Sequence, residues 1–162
     1  MYVHYSSLRH NGSGIISRFT VDKKNPNFIS QMQALKTEKL IMIVEQPSHN
    51  NNGGQILFGP DGFLYIGLGD GGWGTSRKAS QEHSNRLGKI LRINVDTNKQ
   101  YEAPKDNPFY QNGGAPENEI WAKGLHNPYK FSFDKVNGGM FISDVGDNTW
   151  EEINYIPNVF FN

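Results

Sequence analysis

The amino-acid sequence predicts an all-β fold made of repeated antiparallel strands, and three observations carry that expectation. Apolar residues fall in short runs separated by Gly, Asn, Asp and Pro, the punctuation of strands joined by turns. Only one stretch, roughly residues 28–37 (FISQMQALKT), reads as helical. Similar strand motifs recur: Met1-Tyr2-Val3-His4 resembles Leu64-Tyr65-Ile66-Gly67 and Met140-Phe141-Ile142-Ser143, and the run Ile16 to Asp22 resembles Leu91 to Asp96 through a shared Val-Asp.

In chain order, the 28–37 helix is followed by a strand at Leu40-Ile41-Met42-Ile43-Val44. Residues 55–68 then read as a β-hairpin. Ile56 to Phe58 and Phe63 to Ile66 are aliphatic or aromatic, and the intervening Gly59-Pro60-Asp61-Gly62 is turn chemistry, because Pro presets φ and Gly accepts positive φ. A hairpin places its two flanking loops, Asn50-Asn51-Asn52-Gly53-Gly54 and Gly69-Asp70-Gly71-Gly72, at the same end of adjacent strands. Those loops admit two readings: ordinary connections, or glycine-permitted close approach to a ligand with amides and a carboxylate to bind it.

Beyond the strand at 91–96, Pro104-Lys105-Asp106-Asn107-Pro108-Phe109 is a double-proline loop with no evident chemistry. Lys123-Gly124-Leu125-His126-Asn127-Pro128 sets a histidine and an amide before the strand Tyr129 to Phe133, as either a solvated or a functional pair. Asp144-Val145-Gly146-Asp147-Asn148-Thr149-Trp150-Glu151-Glu152 brings four carboxylates into nine residues. This segment reads either as a calcium loop, since hard cations take carboxylate and carbonyl oxygens, or as an acidic turn. It lacks EF-hand spacing. The Gly-Asp-Gly-Gly segment is no dinucleotide fingerprint, because GWGTSRKAS does not start a convincing helix after it.

The copies are spaced beyond the roughly 40–50 residues of a usual propeller blade, so long insertions between strands are expected. One first-type strand opens the chain and another lies near its end. Radial β architectures close only with every blade present, so residues 1–162 are expected to be a fragment of a larger domain, with two to three partial blades.

Composition excludes several classes. Sixteen basic and sixteen acidic residues leave no net charge, which argues against a nucleic-acid or anionic-membrane footprint. No apolar run approaches a membrane span, and no export signal is legible in the chain. With no cysteine there is no disulfide framework, thiolate nucleophile or cysteine-ligated zinc.

Taken together, N-x-N-G-G-Q-I-L-F-G-P-D-G-F-L-Y-I-G-x-G-D-G-G, L-G-K-I-L-R-I-N-V-D, P-x-D-N-P-F, I-W-A-x-G-L-x-N-P and D-V-G-x-N-x-W-E-E-I-N-Y-I resemble the soluble glucose/sorbosone dehydrogenase family. The match runs in unbroken order from about residue 40 to 156. The resemblance implies a partial six-bladed β-propeller, oxidation of a small sugar with pyrroloquinoline quinone and calcium, and a secreted or periplasmic location. Hedgehog-interacting-protein-like relatives add the alternative of a non-catalytic module that binds carbohydrate or a protein partner, or that packs against further blades. A truncated remnant without function is the third reading.

Residue by residue, the resemblance implies a catalytic histidine where this chain has Asn51, a base that would take the proton of the sugar C1 hydroxyl. His49 lies two places earlier and outside the motif. The resemblance also implies cofactor contacts at Gln55, Asp70, His126 and Asn127, with His126 standing where the family has arginine, and metal contacts at Gly146 and Asp147. An amide has no basic nitrogen, and losing a general base costs about 10²–10⁴-fold in rate. Replacing arginine by histidine removes a permanent charge and a bidentate fork. These departures predict weakened or lost sugar oxidation.

Overall fold

The computed structural model describes residues 1–24, 30–72, 76–111, 113–146 and 150–157. It divides into two compact units, Met1–Gln46 and Pro47–Asn162. In each, antiparallel strands dominate as the sequence predicts.

In the first unit, β1 (Tyr2–Ser6), β2 (Gly14–Arg18) and β3 (Lys39–Val44) form a three-stranded antiparallel sheet in sequence order. The predicted helix is present as α1 (Gln31–Thr37), started by Ser30, whose side chain accepts a hydrogen bond from the Gln33 backbone at 3.2 Å. Residues 28 and 29 of the expected helix lie outside the described residues. The predicted strand from 16 to 22 is shorter than expected: β2 ends at Arg18, before its Val-Asp. Ser17 is fully buried in β2, yet its hydroxyl is satisfied by Glu38 Oε1 at 2.8 Å, which also accepts from the Tyr5 hydroxyl at 2.6 Å. These two bonds hold the Glu38 carboxyl below its ordinary value.

The second unit contains two sheets. One runs in the order β4 (Ile56–Phe58), β5 (Leu64–Leu68), β6 (Lys89–Ile93), β7 (Ile120–Lys123); the other comprises β8 (Pro128–Phe133), β9 (Met140–Asp144) and β10 (Glu152–Ile156), with β9 central. The predicted hairpin is β4–β5, with Leu57 opposite Tyr65. The repeated motifs coincide with equivalent strands: β1, β5 and β9 carry the first type, and β2 and β6 follow β1 and β5 as the second. A four-residue helix, α2 (Ser76–Ala79), does follow the Gly-Asp-Gly-Gly loop, where no helix was expected.

Every residue of β5 and β6 is buried, so both faces of these central strands are covered. On one side Tyr65, Ile90, Trp121 and Leu125 pack against Phe131, Met140 and Ile142 of the second sheet. The 104–109 loop is not idle, contrary to its sequence reading. Arg92, only 2% exposed, sends its guanidinium to Asp61, to both oxygens of Asp106 and to Asn107, and stacks over Phe63 and Trp121 at 4.5 and 4.9 Å. A buried guanidinium needs this many acceptors to offset its lost hydration. Lys89 is also fully buried; its ammonium donates to the carbonyls of Ala79 and Leu87 at 2.8 and 2.7 Å and to Asn85 Oδ1 at 3.2 Å. Among the described residues no helix is long and apolar enough to cross a membrane.

Candidate functional site

Antiparallel strand order gathers four loops at one end of the second unit. The chain enters β4 and leaves β5 at that end, and by alternation it also leaves β7, enters β8 and leaves β9 there. Backbone bonds knit the loops: Gly71 N donates to Asn51 O at 3.0 Å, Asp70 N to His126 O at 2.7 Å, and Val145 N to Asn127 O at 3.1 Å. Asn51 has φ of +52°, the left-handed region that asparagine tolerates better than most residues. Gly69 admits no side chain, because a methyl there would fall on the Asn51 carbonyl and within 2.8 Å of Asn127 Oδ1.

Side chains close the cluster. Asn51 Nδ2 donates one hydrogen to Asp70 Oδ1 at 3.2 Å and points the other at His126 Nε2, 2.8 Å away. Asp70 Oδ1 also accepts from Gly72 N at 2.9 Å. His126 Nδ1 faces the Val145 carbonyl at 2.5 Å. A carbonyl only accepts, so the hydrogen-bond network assigns the ring hydrogen to Nδ1 and leaves Nε2 with the lone pair that receives the Asn51 amide. Asp70 Oδ2 lies 3.9 Å from Nε2.

Asp144 fixes the histidine's backbone. Its carboxylate, 3% exposed, accepts from His126 N at 3.0 Å and from Asn127 N at 2.6 Å. Burial, abetted by Glu152, pushes the Asp144 carboxyl above its ordinary value in spite of these bonds and of nearby His126. Nothing in the sequence distinguished Asp144 from the other acids of its segment; its position as the last residue of β9 gives it this role.

The predicted residues divide by environment. Asn51, Asp70, His126 and Asn127 meet in one network, and Asn127 Oδ1 accepts from Gly53 N at 3.0 Å. Gln55 lies outside it: its amide donates to Phe131 O at 2.6 Å and accepts from Phe131 N at 3.2 Å. His49 is exposed, and its carbonyl accepts from Asn52 Nδ2 at 3.4 Å. Gly146 follows Val145 beside the cluster and donates its N–H to Glu151 Oε2 at 2.9 Å. Asp147 lies outside the described residues.

Comparison with known proteins decides the family. The model of the glucose/sorbosone dehydrogenase domain matches residues 1–159. The chain belongs to the glucose/sorbosone dehydrogenase family. Within it, the chain is 37% identical over 157 residues to the HIPL1 protein of Arabidopsis thaliana, covering 88% of this chain and 22% of that protein. It is 36% identical over 124 residues to human Hedgehog-interacting protein, covering 74% of this chain and 17% of that one. The structure is similar to the quinone-bound aldose sugar dehydrogenase of Streptomyces coelicolor, with a TM-score of 0.75 and 29% identity, covering 97% of this chain and 41% of that one. The fold of this glucose/sorbosone dehydrogenase family member is therefore that of part of a sugar dehydrogenase propeller. The chain spans about a fifth of the length of those curated relatives.

The cofactor and the metal that the sequence resemblance implies make demands that the described residues of this chain meet poorly. Pyrroloquinoline quinone is a polycarboxylate, yet the network holds the Asp70 carboxylate, the His126 ring bonded through both nitrogens, and carboxamides already bonded to neighbours. Calcium needs several free oxygens, but both Asp144 oxygens are taken by backbone N–H groups and Glu151 Oε2 is engaged with Gly146. Among the described residues no group of three or more His, Asp or Glu side chains is placed to hold a metal ion.

Proposed function

We propose that this chain is the sugar-facing segment of a longer dehydrogenase-type propeller in which position 51 no longer removes protons, so that quinone-dependent sugar oxidation is weakened. The observation that carries the reading is that the Asn51 amide spends its N–H groups on Asp70 and His126 and has no basic nitrogen to offer. The remaining contacts to quinone and calcium would come from residues beyond the described ones. A secreted or periplasmic location agrees with this reading by family resemblance.

Reconstitution with pyrroloquinoline quinone and calcium tests it. The longer protein should bleach the quinone slowly on addition of glucose. The double change Asn51→His with His126→Arg, which rebuilds the family motif, should be faster by about 10²-fold or more. Equal turnover in the two proteins would overturn the reading.

Asn51 also favours a second reading, a non-catalytic module for carbohydrate or a protein partner; human Hedgehog-interacting protein is one of the similar proteins. Saturable glucose or partner binding with no quinone bleaching in either parent or double variant would select it.

A further inference from the structure

We propose that the cleft beside the connection from β6 to β7 is a second binding site of this chain, suited to a carboxylated sugar ring, a hexuronate. The chain leaves β6 and enters β7 at the end of the sheet opposite the four-loop cluster, so this site is separate from the one described above. It does not depend on the sugar-facing reading.

The first support is a cleft that is already formed. The connection spans residues 94–119, far beyond the roughly 2–5 residues that join an ordinary hairpin, and a loop of that length in a compact unit commonly carries a task. Asn94 and Glu102 exchange both backbone bonds at 2.7 and 2.9 Å, Arg92 grips Asp106 and Asn107, and Asn107 Nδ2 donates to the Asn118 carbonyl at 2.7 Å. The cleft so held has a volume of about 660 Å³, inside the roughly 300–1,000 Å³ of small-molecule sites.

The second support is the set of polar groups left unspent on its walls. Glu119 is buried and filled by Arg86 and the Tyr101 hydroxyl, and Glu102 is paired with Lys99 at 2.8 Å. Asn118, 8% exposed, uses its Oδ1 on Gln111 N at 3.0 Å, while its Nδ2 donates to no group among the described residues. The Lys105 ammonium and the Tyr110 hydroxyl likewise have no bond among the described residues, and all three line the cleft. All three can donate, so an occupant must be rich in acceptors.

The third support is the match of rings and charge. Tyr101 is held by its hydroxyl and Phe63 by the Arg92 guanidinium at 4.5 Å, so both present fixed rings to the apolar face of a pyranose. Among the described lining residues Lys105 is the one cation without an anionic partner. That suits a single carboxylate better than a phosphate, which carries close to two charges.

Backbone amide NMR on this chain, titrated with D-glucuronate, tests the assignment. Saturable shifts are expected at Lys105, Tyr110 and Asn118, with 51–54 and His126 unmoved. D-glucose and acetate should each bind several-fold more weakly. Lys105→Gln, on the surface, should weaken glucuronate by up to about fivefold. Asn118→Asp keeps the acceptor for Gln111 and replaces the donor by a like charge, so binding should be lost with the urea midpoint checked for folding. Absent saturation at the cleft would overturn the proposal, as would glucose or acetate binding as tightly as glucuronate, or a Lys105→Gln protein with unchanged affinity. Shifts confined to 51–54 would also overturn it and leave the sugar-facing reading standing.

Discussion

Replacing Asp144 by alanine removes the acceptor of two backbone donors at once, His126 N at 3.0 Å and Asn127 N at 2.6 Å. A buried donor left without a partner costs about 1–3 kcal/mol. Both residues are half-buried, so water can partly replace the carboxylate, and the low end of that range applies to each. The expected loss is therefore about 2–3 kcal/mol, a large share of the roughly 5–15 kcal/mol by which a domain is stable. Urea unfolding followed by the fluorescence of buried Trp121 would measure it, and amide hydrogen exchange would locate it. Exchange should accelerate at His126 and Asn127 before it does in β5 and β6. A loss below about 0.5 kcal/mol, or unchanged protection of the two amides, would refute the assignment of Asp144 as the anchor of this loop.

Gly69→Ala should destabilise the second unit and displace the Asn51 loop, since a methyl would meet the Asn51 carbonyl; amide shifts at 51–54 larger than those at Gly62 would show it. The Lys89 ammonium is pushed down to about 8, chiefly by burial and secondarily by Lys123. A lowered folded value means that between about pH 8 and 10.5 the unfolded chain holds a proton that the folded one has released, so stability should rise with pH across that window. The rise should be on the order of 2–3 kcal/mol and absent in Lys89→Met, as measured by urea midpoints at each pH.

The hairpin was legible because its determinants are local: Gly59-Pro60-Asp61-Gly62 can hardly be anything but a turn, and strand alternation then forces Asn51 beside Asp70. The repeated strands located β5 and β9 for the same reason. What stayed hidden depends on residues distant in sequence. Arg92 sits in an ordinary-looking strand motif, and its need for acceptors appears only when the 104–109 loop folds over it. The role of Asp144 was hidden within a segment read as a calcium loop or an acidic turn, because an acidic segment does not reveal which oxygens backbone N–H groups will occupy. The bonds that Gln55 makes to Phe131 stayed hidden for a similar reason, since a carboxamide bonds as readily to backbone as to a ligand.

That carboxamide has the donor and acceptor pair of a peptide group, and in bonding both the N–H and the carbonyl of Phe131 it behaves as a strand one residue long. β8 is the edge of its sheet, where unpaired backbone invites association with foreign strands. Gln55 therefore works as a rivet between neighbouring sheets and pairs the backbone of one residue of that edge. A chain with leucine at this position would keep its volume and lose both bonds, so the consequence would be felt first as stickiness in solution and as independent slipping of the two sheets under load.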